Sequence, residues 1–248
     1  MGRKYKNPPI VEVLCEFQFV SSQPWDFAIP GMLYERIKGD FPIRGQQMAF
    51  DIVLEPKEGG KTEQRIEFGS PRLRFFNKDK NSLVQVGPDL LTINHLKPYP
   101  TWEVFKPLIL RILHEYVNVA NPKGFKRIGL RYINKIDFEG NEIELSDYFN
   151  YRPLTPNNLP QEYKSFQLTV EFPYENERDA LRLTLATIIP EKPNILSLAL
   201  DLDYIMIKPE SVKLDEVSTW LENAHMIIEN AFESCITDKS RKLFEEVK

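Results

Sequence analysis

Residues 127–138 read RIGLRYINKIDF and carry the clearest strand pattern of the chain. Ile128, Leu130 and Tyr132 alternate with charged residues and glycine, and successive residues of a strand point to opposite faces of a sheet. The stretch therefore predicts a half-buried β-strand. Asn134 falls on the otherwise apolar face of this strand, where a side-chain amide is costly unless it is hydrogen-bonded.

Similar strand patterns flank this stretch on both sides. They cover residues 10–20, 48–55, 63–68, 72–76, 83–86, 90–96, 166–172, 180–188 and 195–207. Short links, such as Gly59-Gly60 and Gly69-Ser70-Pro71, separate the strands that precede residue 96. Because a parallel pairing needs a crossover of about a dozen residues, these links favour antiparallel hairpins.

Two long amphipathic helices are predicted beside the strands. The first begins after Thr101, a residue type that favours the N-cap position, and carries Trp102 and Phe105 on its apolar stripe. The second covers residues 214–235 and has an apolar stripe of the same kind.

The order of strand, insertion, antiparallel strands and helix occurs twice along the chain, which indicates a duplication. Short echoes support it, namely Leu73-Arg74 with Leu181-Arg182, Asp89-Leu90 with Asp201-Leu202 and Lys97-Pro98 with Lys208-Pro209. With or without a duplication, the predicted class is α+β, with antiparallel sheet packed on two long helices. The two pseudo-repeated units are residues 1–121 and 122–248, which we expect to be fused into one compact domain.

The composition is that of a globular protein. The chain has 248 residues, 42% of them hydrophobic, and 2 cysteines, so a disordered chain and a disulfide scaffold are excluded. No run of about 18 apolar residues predicts a membrane-spanning helix. Asn7-Pro8-Pro9 stands where a secretory signal would need its apolar segment. We therefore expect a cytoplasmic protein that does not associate with a membrane.

The sequence lacks the signatures of common catalytic chemistry. It contains no H-E-x-x-H zinc motif, no G-x-S-x-G elbow and no glycine-rich phosphate loop. Cys15 and Cys235 fall on apolar faces, so both are expected to be small core residues. His225 borders a helix stripe and is expected to be partly buried and hydrogen-bonded. We expect no cofactor and, on balance, no enzyme.

Asp201 and Asp203 form the best acidic pair. Their alternate positions on a strand place both carboxylates on one face, where they would hold a divalent cation or share a proton. The alternative is an ordinary surface or ion-pair role, because Leu200, Leu202 and Tyr204 are the apolar residues of the same strand.

Basic residues form a second cluster. Arginines next to aromatic residues on a sheet are typical of single-stranded RNA binding, and the candidates here are Arg72, Arg74, Arg127, Arg131 and Lys135. The net charge of −4 argues against a polyanion as partner. The alternative is that these residues pair across the sheet with acidic residues, namely Asp201, Asp203, Glu67 or Glu171.

Three amides are candidates for a polar network. Gln85, Asn94 and Asn134 lie in predicted strands, where a network would fix the strand register or, alternatively, line a ligand pocket. The expected partner of Asn134 is Gln85, Asn94 or a backbone group.

Several short segments of the sequence, taken together, resemble a known protein family. They are NPPIVEV at 7–13, LVQVG at 83–87, LLTIN at 90–94, YPTW at 99–102, IGLRYIN at 128–134 and LDLD at 200–203. Together they resemble a sporadically distributed prokaryotic family of similar length whose function is uncharacterised, and the likeness runs nearly end to end. The resemblance implies a free-standing bacterial or archaeal protein, and the patchy distribution suggests an association with mobile or defence genes.

Three functions follow from these observations. The leading hypothesis is a non-enzymatic binding or adaptor protein that presents its sheet and helices to a protein partner. The first alternative is a single-stranded RNA-binding module that uses the five basic residues named above. The second is a hydrolase or nuclease in which Asp201 and Asp203 hold a divalent metal ion.

Overall fold

The fold is taken from a computed structural model, in which residues 3–22, 24–47, 50–57, 61–68, 72–140, 142–160 and 164–247 are described. The strands are Lys4–Tyr5 (β1), Ile10–Val20 (β2), Ile43–Gln47 (β3), Phe50–Lys57 (β4), Lys61–Phe68 (β5), Arg72–Phe76 (β6), Ser82–Gly87 (β7), Leu90–Leu96 (β8), Gly124–Glu139 (β9), Gln167–Tyr174 (β10), Asp179–Ile188 (β11), Ile195–Met206 (β12) and Glu246–Val247 (β13). The helices are Ile29–Ile37 (α1), Trp102–Ala120 (α2), Leu145–Tyr148 (α3), Val217–Cys235 (α4) and Asp238–Leu243 (α5).

In the described part of the chain, nine strands form one antiparallel sheet in the order β10-β11-β12-β9-β2-β8-β7-β6-β3. Strands β2 and β9 lie side by side at its centre, so the segments 1–121 and 122–248 contribute to the same sheet. The predicted α+β class with an antiparallel sheet is therefore confirmed. Strands β4 and β5 form a separate hairpin, and the predicted turns at 59–60 and 69–71 lie outside the described residues.

One face of the large sheet is apolar and packs against α2 and α4. Phe19 of β2 stacks on Tyr116 of α2 with ring centroids 4.6 Å apart, and Tyr204 of β12 contacts Trp220 of α4 at 5.5 Å. The alternating residues of the central strands that point this way are almost completely buried. Burial of this apolar area is the main contribution to folding.

The start of α2 is where the sequence predicted it, but its capping differs from expectation. Thr101 precedes the helix as N-cap residue, yet its side chain makes no capping hydrogen bond. Its φ of 149° lies outside the usual range of a β-branched residue, and its side chain hydrogen-bonds the side chain of Glu103.

The two ends of the described chain are joined in a second small sheet. Lys4 pairs with Val247 and Tyr5 with Glu246, and the Tyr5 ring contacts Phe232 and Phe244. The sequence analysis did not predict this pairing, because strands of two residues carry no readable alternation. Among the described helices, none is both long and apolar enough to cross a lipid bilayer.

Candidate functional site

The face of the large sheet opposite α2 and α4 carries most of the candidate residues. We call it the polar face, and it is formed by Glu12, Glu16, Arg74, Gln85, Thr92, Asn94, Arg127, Arg131, Lys135, Asp201 and Asp203. These residues share a face because the antiparallel register aligns every second position of neighbouring strands. Leu14, Ile133 and Ala199 lie among them and are half-buried.

Arg131 and Asp201 form the best-defined ion pair of the polar face. The Arg131 guanidinium donates to both carboxylate oxygens, with Nε–Oδ1 2.8 Å and Nη2–Oδ2 2.5 Å. This two-bond geometry fits the planar guanidinium to the planar carboxylate. The hydrogen bond to Asp201 raises the pKa of Arg131 above its ordinary value, so the arginine stays charged.

Arg127 bridges two acidic residues on neighbouring strands. Its Nη1 lies 3.0 Å from Glu16 Oε1 and its Nη2 lies 3.3 Å from Asp203 Oδ2. Burial raises the pKa of Asp203, whose side chain is 14% exposed, and the charges of Arg127 and Arg131 act against this rise. The predicted cross-strand pairing with Asp201 and Asp203 is therefore confirmed for these two arginines.

The remaining basic candidates do not join these arginines in one cluster. Lys135 forms ion pairs with Glu191 at 2.7 Å and with Asp137 at 3.4 Å. Arg72 and Arg74 lie on β6, four strand positions or about 19 Å from β9. The five basic residues proposed for RNA binding are thus spread across the sheet.

Other parts of the cross-strand pairing differ from expectation. Glu171 does accept a cross-strand ion pair, but its partner is Arg182, which was not among the candidates, at 2.9 Å. The side chain of Glu67 lies outside the described part of the structure.

Two of the three predicted amides form a network with Glu12. Gln85 Nε2 donates to Asn94 Oδ1 at 2.9 Å, and Asn94 Nδ2 donates to Glu12 Oε1 at 2.6 Å. Arg74 Nε donates to Gln85 Oε1 at 3.2 Å and extends the chain to the next strand. The network links four neighbouring strands and thereby fixes their register.

Asn134 belongs to a different part of the structure. Its side chain points to the apolar face, and Nδ2 donates to the backbone oxygen of Leu200 at 3.0 Å. The grouping of Asn134 with Gln85 and Asn94 is corrected accordingly, because residue 134 has the opposite strand parity from the polar face. Its partner is a backbone group, one of the expected options.

The acidic pair has little capacity left for a metal ion. Asp201 and Asp203 share the polar face, as predicted, but Asp201 already accepts two hydrogen bonds from Arg131. No group of three or more His, Cys, Asp or Glu residues in the described ranges is arranged to hold a metal. Divalent ions need several oxygen ligands that are free to coordinate.

Thr92 is an unexplained polar group on the same face. It is 2% exposed, and its hydroxyl has no hydrogen-bond partner among the described residues. It lies between Glu16 on β2 and Gln85 on β7. The sequence analysis did not single it out, since a lone threonine in a strand is common.

The apolar face contains a hydrogen-bonded chain of three rings between the two long helices. Tyr99 Oη lies 2.9 Å from Tyr132 Oη, which lies 3.1 Å from His225 Nδ1. The His225 ring stacks on Trp102 at 4.3 Å, and burial lowers its pKa to about 4, so it is neutral at pH 7. The expected structural role of His225 agrees with these contacts.

A fully buried carboxylate near the start of α4 was missed by the sequence analysis. Asp179 is 0% exposed and accepts hydrogen bonds from Arg178, Tyr204 and Trp220. An aspartate directly before the alternating apolar residues Ala180, Leu181, Leu183 and Leu185 was the available signal, because an acidic side chain buried among them requires donors. Cys15 and Cys235 are buried as expected, and burial raises the pKa of Cys235 to about 12, so neither is a reactive thiolate at neutral pH.

Comparison with protein-family models found no match to this sequence, and comparison with curated proteins found none either. The family resemblance inferred from the strand and helix strings therefore stays a prediction.

Proposed function

We propose that this protein is a non-enzymatic binding or adaptor protein that binds a protein partner on the polar face of its sheet. The observation that carries the proposal is the mutual pairing of the charges there, above all Arg131 with Asp201 and Arg127 with Glu16 and Asp203. A face whose charges are paired in advance offers an ordered, nearly neutral surface.

The composition of the polar face suits a protein better than a polyanion. Half-buried Leu14, Ile133 and Ala199 alternate with paired charges, which resembles the mixture of apolar and polar groups at protein interfaces. A phosphate backbone would have to compete with carboxylates for Arg127 and Arg131, and the net charge of −4 adds repulsion. RNA binding therefore ranks second, and metal-dependent hydrolysis by Asp201 and Asp203 ranks third.

The proposal is tested by affinity purification of the full chain from its native host, with three versions of the protein. Ile133→Lys changes the centre of the polar face and places an ammonium between Glu12 and Asp201, which are its neighbours in the register. Met226→Lys is the matched control, because Met226 is 52% exposed on α4, away from this face.

We expect one protein to co-purify in fixed proportion with wild type and with Met226→Lys, and to fall by at least about tenfold with Ile133→Lys. The proposal is overturned if wild type recovers no such protein, or if Ile133→Lys recovers as much as wild type. Recovery of RNA without protein favours the second-ranked function instead.

We also infer that the two segments 1–121 and 122–248 are pseudo-repeats. In each segment the first strand of the large sheet lies at the centre of that sheet, and the last one lies next to it. The order is β2-β8-β7-β6-β3 in one direction and β9-β12-β11-β10 in the other, so segment 1–121 has one additional edge strand, β3. Each segment then continues into a helix of 19 residues. This common order supports a duplicated unit, in which the polar face combines one half-sheet from each copy.

A further inference from the structure

Strand β10 forms one edge of the large sheet. Among the described strands it pairs with β11 alone, in an uninterrupted register over 8 residues. The side chains of Gln167, Thr169 and Glu171 are exposed, and Phe172 is 41% exposed. The opposite edge, β3, is shorter, with 5 residues.

The backbone of β10 presents hydrogen-bonding groups to the outside. Thr187 N–H donates to Phe166 O at 3.0 Å, which identifies the even-numbered residues as the ones that bond β11. In an antiparallel ladder the alternate residues direct N–H and C=O to the other side, so those of Gln167, Thr169 and Glu171 point outward. Within the described residues, no hydrogen bond uses these outward groups.

Few of the usual protections of an edge strand are present in β10. Natural edges are blocked by lysine, proline, bulges or inward charges. Here Pro173 lacks an N–H at the end of the strand, and Glu171 is held by Arg182 of β11 at 2.9 Å. Residues 167–172 contain no lysine and no bulge. As far as the described residues show, this edge is therefore free to pair with another strand.

We propose that β10 is the contact between two copies of this chain, which pair antiparallel about Thr169 and extend one sheet into the other. Because only odd-numbered residues present outward groups, the register must pair odd with odd positions. Centred on Thr169, it places Gln167 opposite Glu171 of the second copy and gives three hydrogen-bonded pairs.

The residues of β10 are self-complementary in this register. Glu171, the charged residue of the strand, meets the neutral amide of Gln167 and not its own copy. Pro173 falls outside the three bonded pairs, so its missing N–H costs nothing. Half-buried Leu168 and Val170 come opposite each other across the two-fold axis, and Phe172 comes opposite Phe166, which adds apolar contact. A second copy is therefore a specific fit for this edge.

The test is sedimentation equilibrium of the full chain over a range of concentrations, with two substitutions at one position. Gln167→Glu places a carboxylate opposite Glu171 twice by symmetry, and we expect the dimer to weaken by about tenfold. Gln167→Lys places an ammonium there instead, and we expect a dimer at least as strong as wild type. Residue 167 is exposed in the monomer, so both variants should fold, which circular dichroism checks.

A wild-type protein that stays monomeric at all concentrations overturns the proposal, and so do equal dissociation constants for the two variants. The first result would leave the edge to a strand from a different protein. The outcome is independent of the partner proposed for the polar face, because residue 133 lies on β9, three strands from this edge, and Ile133→Lys should dimerise normally.

Discussion

Two carboxylates of this protein, Asp179 and Asp201, both pair with an arginine but in different surroundings. Asp179 lies under α4 with no exposure and is held by the side chains of Arg178, Tyr204 and Trp220. Asp201 lies on the polar face with 19% exposure, and Arg131 is its arginine partner. The loss of stability on breaking an ion pair therefore depends on which buried donors or acceptors are left without a partner. It does not depend on the distance between the two charged groups.

The largest effect is expected for Asp179→Ala. Removal of the carboxylate leaves the buried Trp220 N–H and Tyr204 hydroxyl without their acceptor, and it also removes the partner of the partly exposed Arg178 guanidinium. We expect the free energy of unfolding to fall by about 3–5 kcal/mol in urea titration. Asp201→Ala serves as the comparison, and an equal loss for both variants would contradict the difference drawn between the two sites.

The apolar side should also be sensitive to pH through His225. Its pKa is about 4 in the folded state and lies near 6.5 in the unfolded chain, so the unfolded state binds a proton first as the pH falls. Stability is therefore lost below about pH 6.5, and by pH 5 the loss should reach about 2 kcal/mol. Urea titrations at pH 7 and pH 5 should show this loss in wild type and not in His225→Gln; an equal loss in both would exclude His225 as the cause.

Removal of the Thr92 hydroxyl is expected to raise the stability of the protein, in contrast to the two changes above. Thr92→Val keeps the shape of the side chain and removes a buried hydroxyl that has no partner among the described residues. We expect a gain of about 1 kcal/mol in the free energy of unfolding. A loss of stability would mean that the hydroxyl is hydrogen-bonded in solution, for example to a water molecule or a ligand.

The smallest effects are expected for ion pairs at the surface. A double-mutant cycle on Arg131 and Asp201 should give a coupling of about 0.5–1 kcal/mol, since both side chains are partly exposed. The pair of Arg182 and Glu171, whose side chains are 52% and 45% exposed, should give a coupling near zero. An equal coupling energy for the Arg182–Glu171 pair and the Arg131–Asp201 pair would contradict the view that burial determines the strength of these ion pairs.

Local patterns were sufficient to predict most of the elements. The bounds of β2 and β8 agree with the alternation of Ile10–Val20 and Leu90–Leu96, and α2 begins at Trp102 as expected. These features depend on neighbours in sequence, which periodicity records directly. Thr101 shows the limit, because the residue type favours the N-cap position but does not determine which partner the side chain binds.

For the candidate site, the sequence predicted which residues share a strand face but not which residues pair with each other. Strand parity placed Asp201 with Asp203 on one face of their strand, and Arg127 with Arg131 on one face of theirs. Whether the two pairs meet depends on a register between segments about 70 positions apart. Asn134 was grouped with the wrong amides for the same reason. Asp179 was missed because its donors come from Tyr204 and Trp220, two other elements of the fold.

The small sheet that joins Lys4 to Val247 has a practical consequence for engineering. Paired strands lie about 5 Å apart, so a short peptide would link Val247 to Lys4 and close residues 4–247 into a ring. New ends could then be opened at the exposed residues 78–80, between β6 and β7, without removing a strand from the sheet. Such a circular permutant would carry an attached label between β6 and β7 and not where Lys4 pairs with Val247.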